Sequence, residues 1–409
     1  MSNQVPYTHR ILSRCCGGKP VSKGEAILCN VDCRIIYNWF GFPDYFSNII
    51  DKDLNGDIPE KEKIHVVIDH LYPPRDQKQA DYNKLTTDWC ERAGLSCSDG
   101  EGIGHTLAIE QGWVKPGDFV THFDPHVNSV GAIGALGIGS AIEMLISFTT
   151  GKAWINVPPV YRIDLTGTLK PGVMGRDLIN YMIAKLGTTD YCGASIEFYW
   201  SEDSGLTLDD RVTICNLAYH LSAQHGIFVP VGEKKGDDST YEKVIPIDLS
   251  SIEPYIVAPP ATTCAAPLSA YAGKKVDVGI IGTCSGGGFN DVAVAAKILK
   301  GKKVKKGVKL YVCPATNQIF SDAIAKGYIA DLVEAGVFIS SATCDFCYGR
   351  AVYVAKGECC ITSATLNVPG RLGSMEAEIF LASPAAVAVA ALTGEITDPR
   401  GIYGKGAGV

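Results

Sequence analysis

Three cysteines carry the most informative spacing in the chain. Cys284 stands in Gly282-Thr-Cys284-Ser-Gly-Gly-Gly288, and Cys344 and Cys347 form a Cys-x-x-Cys pair. A thiolate is both a nucleophile and a ligand for soft metals. Taken alone, a Cys-x-x-Cys pair suits a redox couple, half of a zinc site or a cluster site. A thioredoxin-like couple wants the pair at a helix start in a small domain, which fits poorly. A tetrahedral zinc site wants four ligands as two close pairs. The sequence has no second Cys-x-x-Cys, and the adjacent Cys359-Cys360 is badly spaced for joint chelation. A three-thiolate site made by Cys284, Cys344 and Cys347 remains. The glycines after Cys284 match neither G-x-G-x-x-G nor GxxxxGK[ST], so the loop does not read as a phosphate cradle. They read as room for the backbone to approach whatever the sulfur binds.

A second group is acid and imidazole. Asp69-His70 and Asp124-Pro-His126 each place a carboxylate beside a histidine, and His105 follows in Gly102-Ile-Gly-His105. Dehydration needs one group to take a proton from carbon and another to protonate the departing hydroxyl. Any one of these histidines could be a hydrogen-bonded structural residue. Their clustering at loop positions favours a site.

The elements that position these residues read as alternating strands and helices. Lys275–Gly282 has the β-branched run of a buried strand and ends just before Cys284. Asn290 and Asp291 can cap a helix over Val292–Leu299. Val308–Val312 reads as a second strand, Asn317–Glu334 as helical, and Gly336–Ser341 as a third strand stopping before Cys344. In the N-terminal part, Ile64–Ile68 runs into Asp69-His70, and Phe119–His122 stops before Asp124. Gly131–Ile146 reads as a loop and helix of small residues, and Arg176–Leu186 as an amphipathic helix. This alternation predicts parallel sheets with right-handed crossovers, with ligands beyond the carboxyl ends of the strands. Ser250–Gly273, with four prolines, reads as a linker. It divides an N-terminal α/β region of two subdomains, residues 1–260, which carries the Asp/His groups, from a C-terminal α/β domain, residues 261–409, which carries the cysteines.

With 409 residues, 46% hydrophobic, 20% charged and a net charge of −7, the chain has an ordinary globular composition. It lacks the basic footprint of a nucleic-acid binder, and Lys302–Lys306 reads as a solvated turn. Met1–Arg10 does not read as a signal peptide. The apolar stretch Val130–Phe148 is interrupted by Glu143, so no membrane span is expected. Fifteen cysteines without a secretion signal point to a reducing cytoplasm rather than a disulfide framework.

Over nearly its whole length the chain resembles the aconitase superfamily, and within it the large subunit of isopropylmalate dehydratase-like enzymes. The resemblance rests on Val67-Ile-Asp-His70, Gly102-Ile-Gly-His105, Asp124-Pro-His126, Gly131-Ala-Ile-Gly134, Gly151-Lys-Ala-Trp154 and Arg211-Val-Thr-Ile-Cys-Asn216. It continues in Ile281-Gly-Thr-Cys284, Cys344-Asp-Phe-Cys347, Gly370-Arg371 and Leu381-Ala-Ser-Pro384. It implies a three-layer α/β/α core with the site at strand carboxyl ends. It implies a [4Fe-4S] cluster on Cys284, Cys344 and Cys347 with one iron left open. It also implies a catalytic cleft of Asp69, His70, His105, Asp124 and His126, with Asn216, Ser285 and Arg371 toward substrate. The family's swivel domain, which normally supplies the serine base, is not expected in this chain. A small subunit carrying it in trans is expected instead.

The departures lie at substrate-facing positions. Asp-Ser-His-Thr becomes Asp124-Pro-His-Val127, and Cys-Thr-Asn becomes Cys284-Ser-Gly286. A glutamate becomes His220, and the first of two arginines becomes Leu366 while Arg371 survives. An early glutamine is replaced within Asp32–Ile36. Losing an arginine removes a bidentate carboxylate clamp. The expected substrate is a small hydroxy acid other than citrate or isopropylmalate. Two alternatives stay open: a lyase with a smaller cluster or a mononuclear metal, and a non-catalytic ligand-binding subunit.

Overall fold

The computed structural model describes residues 5–38, 47–53 and 57–403; Met1–Gln4 of the stretch read above, and Val409, lie outside them. By contacts the chain divides into two compact units. The first comprises Met1–Leu165, Tyr191–Ser201 and Ser222–Ile247; the second comprises Thr166–Asp190, Glu202–Leu221 and Asp248–Val409.

The first unit is built on a five-stranded sheet. Its spatial order is Ser96–Asp99, Ile64–Ile68, Cys33–Tyr37, Phe119–His122, Leu136–Gly139, and every pairing is parallel. Numbered along the chain these are the third, second, first, fourth and fifth strands. The order therefore reverses between Cys33–Tyr37 and Phe119–His122, where an open parallel sheet forms a crevice. Helices cover both faces. Trp89 and Cys90 of Gln77–Ala93 and Met144 and Phe148 of Ala141–Thr150 pack on Ile36, Ile64 and Val66. On the other face Leu107 and Ala108 of Gly104–Glu110, with Val127 and Val130 of the 3-10 helix Pro125–Ile133, pack on Cys33, Ile35, Val67 and Val120. Gly131–Ile146 is therefore not one loop-helix segment. It closes a 3-10 helix at Gly134, forms the strand Leu136–Gly139, and only then enters a helix. Gly134 takes the left-handed φ of 84° that ends the first turn.

A four-stranded sheet, in the order His225–Phe228, Ser195–Tyr199, Val160–Thr166, Lys243–Asp248, and an antiparallel ribbon of Ala26–Asn30 with Lys152–Asn156 complete this part of the chain.

The second unit carries a seven-stranded sheet in the order Ala265–Pro267, Tyr255–Val257, Glu378–Leu381, Cys359–Thr362, Val278–Gly282, Lys309–Cys313, Phe338–Ile339. The last five are parallel, and the first two form an antiparallel edge. Ser250–Gly273, read as a linker, thus contributes two strands. Its prolines bound those strands or lie on the edge, where no ladder donor is required. The five parallel strands repeat the third-second-first-fourth-fifth order, with the reversal between Val278–Gly282 and Cys359–Thr362. Helices Phe289–Leu299, Tyr328–Ala335 and Pro384–Thr393 pack on one face through Ile281, Leu310, Val312, Ile361 and Phe380. The other face, with Val278, Ile280, Cys313 and Ile379, is covered by Phe346, Val352, Val354 and Leu372. Phe346, Val352 and Val354 come from the irregular segment that carries Cys344 and Cys347, and Leu372 from the one after Cys359–Thr362, so burial of apolar side chains anchors the cysteine loop. Among the described residues no helix is long and apolar enough to cross a membrane.

Candidate active site and metal centre

In the first unit, Asp69, His70, His105, Asp124 and His126 all lie beyond the carboxyl edge of the five-stranded sheet, around its order reversal. Asp69 and His70 follow Ile64–Ile68 directly. One Asp69 oxygen meets His70 Nδ1 at 2.6 Å, and the other accepts the Gly104 amide at 3.0 Å. Burial alone would raise this carboxyl. The charge and hydrogen bond of His70, the Gly104 amide and His105 outweigh it and hold the group below the usual carboxylate range. Asn38 clamps the His70 backbone: its side chain donates to the His70 carbonyl at 2.8 Å and accepts the His70 amide at 3.2 Å.

Asp124 and His126 repeat the arrangement. Asp124 Oδ1 receives both His126 Nδ1 at 2.6 Å and the His126 amide at 2.8 Å. Burial again pushes the carboxyl up, and His126, His105 and His122 pull it well below its ordinary value. Asp124 is at once the cap of the following 3-10 helix and the partner of its histidine. Glycine makes the turn possible. A Cβ on Gly139 would lie 2.5 Å from the Asp124 carbonyl oxygen, and one on Gly137 would lie 2.8 Å from that of Val127.

His105, at the start of Gly104–Glu110, is 2% exposed, and neither ring nitrogen has a hydrogen-bond partner among the described residues. Burial, followed by the opposing pull of Asp124, leaves its imidazole at about 3, so the ring is neutral at pH 7. His122, which sequence reasoning passed over, joins the group. Its ring centroid lies 5.9 Å from that of His105, and the His126 ring lies 6.3 Å from His105. The signal available was a histidine as the last residue of a strand, two positions before an aspartate.

In the second unit, Cys284, Cys344 and Cys347 are all buried, form no disulfide and lie beyond the carboxyl ends of parallel strands of one sheet. Cys284 follows Val278–Gly282 by two residues. Between them Thr283 takes the left-handed φ of 66°, a strained conformation for a β-branched residue. The glycines after Cys284 are required by the protein's own packing. A Cβ on Gly286 would meet Ser363 at 2.2 Å, on Gly287 the Cys313 and Thr283 carbonyl oxygens at 2.7 Å, and on Gly288 the Asp209 side chain at 2.3 Å.

The Cys347 amide donates to the Cys344 carbonyl at 2.9 Å, closing the tight turn between the two cysteines. Thr365 Oγ1 stands 3.0 Å from Cys347 Sγ, and Arg371 Nη2 donates to the same sulfur at 3.5 Å. Arg371 Nε also holds the Cys347 carbonyl at 2.8 Å. Arg371 is therefore a residue of the thiol site. Arg176, not singled out from sequence, is fully buried and donates to the Ser363 and Ala364 carbonyls, each at 3.0 Å. Burial lowers it to about 10 against the opposing pull of Tyr219, Asp177, Cys347 and Cys284.

Ser285, expected to face substrate, is fully buried and donates its hydroxyl to the Ser363 carbonyl at 2.8 Å. It braces the loop. Asn216 is buried at the end of helix Leu208–Asn216. Cys313 ends the strand between those leading to Cys284 and Cys344. Its thiol donates to the Ser341 and Thr343 carbonyls at 3.4 and 3.5 Å, and burial pushes it up to about 12. It stays protonated and pins the approach to Cys344. Among the described residues no three His, Cys, Asp or Glu side chains converge as the ligands of one ion would.

The model of the aconitase family (aconitate hydratase) matches residues 58–235 and 231–394. The chain is 32% identical to the 3-isopropylmalate dehydratase large subunit 1 of Methanopyrus kandleri, over 96% of this chain and 98% of that one. It is 35% identical to the 3-isopropylmalate dehydratase large subunit of Clostridium botulinum, over 97% and 99%. It is also 35% identical to the 2,3-dimethylmalate dehydratase large subunit of Eubacterium barkeri, over 97% and 99%. Among solved structures, Thermococcus kodakaraensis aconitase X in its holo form matches with a TM-score of 0.51 at 13% identity, covering 83% of this chain and 84% of that one. That likeness speaks to the fold. The relatives are dehydratases, that is, hydro-lyases. The chain belongs to the aconitase family and is of its large-subunit type.

Proposed function

We propose that this chain is the large subunit of an iron–sulfur hydro-lyase acting on a small alkyl-substituted hydroxy diacid of the malate type. The observation that carries the reading is the Cys347 sulfur, buried and receiving a guanidinium hydrogen bond from Arg371. A buried sulfur beside a fixed cation suits a thiolate ligand.

The donor set fits a [4Fe-4S] cluster held by Cys284, Cys344 and Cys347. Ligands on separate irons need not converge as those of one ion must, and Cys313 is kept from serving as a fourth by its bonds to two carbonyls. When bound, such a cluster supplies an iron without a protein ligand, a Lewis acid toward hydroxyl and carboxylate oxygens.

The chain's own residues supply proton handling and binding. Asp69 and Asp124 remain ionised and fix Nδ1 of His70 and His126. Each imidazole is left with Nε2 to hold or deliver a proton, as in other carboxylate–imidazole pairs. His105, neutral and buried, hydrogen-bonds the leaving hydroxyl while an Asp–His pair delivers the proton. Arg371 offers a second face of its guanidinium to a substrate carboxylate. A small swivel-type subunit in trans is the expected source of the base. The fifteen cysteines, none of them in a disulfide, favour a reducing cytoplasmic setting.

Leu366, in place of the family's first arginine, favours an alkyl group where a further carboxylate would sit. That brings the 2,3-dimethylmalate type within the proposal. The test is anaerobic reconstitution with the small subunit, followed by a panel of malates alkylated at carbons 2 and 3. Iron and labile sulfide near four each and dehydration of a panel member are expected. In Cys284→Ser most of the iron should be lost; full retention there would refute the ligand assignment. Absence of iron in the wild type would favour a non-catalytic subunit.

A further inference from the structure

We propose that His122 is a substrate-binding residue whose Nε2–H donates a hydrogen bond to a carboxylate oxygen of the hydroxy acid. The inference deepens the hydro-lyase reading and rests on it. His122 is the last residue of Phe119–His122 and pairs in register with Ile35 and Gly139, at the carboxyl edge where the strand order reverses. It is 1% exposed.

Its tautomer follows from one hydrogen bond. The Asp124 amide donates to His122 Nδ1 at 2.9 Å, so Nδ1 carries no proton and Nε2 does. That Nε2–H is buried and has no hydrogen-bond partner among the described residues. A buried donor without an acceptor destabilises a fold, and natural structures hold few of them. Here it sits among the candidate catalytic groups. The ring lies 5.9 Å from His105, whose ring nitrogens also lack hydrogen-bond partners among the described residues, and 5.1 Å from Tyr37, and it feels the charges of Asp124, Asp69, His70 and His126.

A bound oxygen that accepts and does not donate would satisfy the site, and a carboxylate is such a group. Burial holds the ring at about 4, so at pH 7 it is a neutral donor. A neutral imidazole gives a hydrogen bond without giving up its proton. The residue therefore binds and orients substrate, and takes no part in acid–base transfer.

Two substitutions separate the two ring nitrogens. His122→Asn keeps an oxygen near Nδ1 for the Asp124 amide and removes the Nε2 donor. His122→Gln returns a donor near Nε2. Each is assayed as reconstituted holoenzyme with the small subunit, on whichever alkylated malate the wild type dehydrates. His122→Asn should raise KM about 10- to 100-fold, with kcat within about threefold and the kcat pH profile unmoved, the signature of lost uniform binding. His122→Gln should recover part of that KM. A KM for His122→Asn within twofold of wild type, or a loss confined to kcat, would overturn the assignment.

A second measurement covers a variant that does not fold. In wild-type protein labelled with 15N-histidine, the His122 Nε2–H resonance should shift on titration with malate. A resonance that stays still at saturating malate overturns the proposal. If the wild type dehydrates no panel member, the substrate reading fails on its own, and the malate titration still judges His122.

Discussion

Asp124→Asn tests the acid–imidazole pairing with the smallest change of shape. Asp124 Oδ1 accepts from both His126 Nδ1, at 2.6 Å, and the His126 amide, at 2.8 Å. An asparagine with its oxygen in that place keeps both acceptor contacts and loses only the charge. Hydrogen bonds to charged groups contribute about 1.5–3 kcal/mol, and neutral ones about 0.5–1.5. The difference is about 1 kcal/mol per bond, or about 2 kcal/mol for the pair. At about 1.4 kcal/mol per tenfold in rate, kcat/KM should fall roughly 30-fold. The fall should appear mainly in kcat, because the charge matters most when His126 holds the proton to be delivered.

The assay is steady-state dehydration at pH 7, with iron content and melting temperature measured on the same preparation. A second readout follows from linkage. A carboxyl held below its unfolded value stabilises the fold above that unfolded value, near 3.9, and loses this contribution as pH falls through the folded one. Asp124→Asn should therefore lose less stability than wild type on acidification below about pH 4. Activity within threefold of wild type, at equal iron content, would refute a catalytic role for the pair.

Acid should also weaken the whole protein through its buried imidazoles. Burial holds His105 at about 3 and His122 and His225 at about 4, against about 6.5 when unfolded. Between those values the unfolded chain binds more protons, so stability falls as pH drops from 6.5, by up to about 1.4 kcal/mol per pH unit for each group. Melting temperatures should drop steeply from pH 6.5 to 5; a flat profile would contradict neutral burial. Gly139→Ala forces a Cβ against the Asp124 carbonyl at 2.5 Å, so it should lower kcat by at least about tenfold through displacement of the Asp124–His126 turn. Gly401→Ala, which meets nothing within 4 Å, is its control. Equal activity in the two would show that the turn tolerates displacement.

The chemistry-bearing residues were legible where sequence places them together. Asp69-His70 and Asp124-Pro-His126 announce a pairing that the strand end merely orients, and Cys344-Asp-Phe-Cys347 announces a tight turn. Cys284 was legible because a β-branched run stops just before it. Residues that act through distant partners were not legible. His122 looks like the end of an apolar strand until the Asp124 amide fixes its tautomer. Cys313 is one thiol among fifteen until Ser341 and Thr343 close on it. Ser285 carries a hydroxyl that local reading sends to substrate and the fold sends to Ser363. The packing role of the glycines after Cys284 was hidden, because their neighbours Ser363, Cys313 and Asp209 lie far away in sequence. Ser250–Gly273 shows the same limit, since pairing between strands decides what its prolines mean.

The repeated strand order has a consequence for repair. The imidazoles lie at the order reversal of one parallel sheet and the thiols beyond strand ends of another, and each sheet has its own core. Damage to the thiols by oxidants is therefore damage to one module. If the thiols hold the proposed cluster, protein oxidised and stripped of it should still show the neutral, buried His105 and His122. It should regain activity when thiols, iron and sulfide are restored, without unfolding and refolding the imidazole-bearing half.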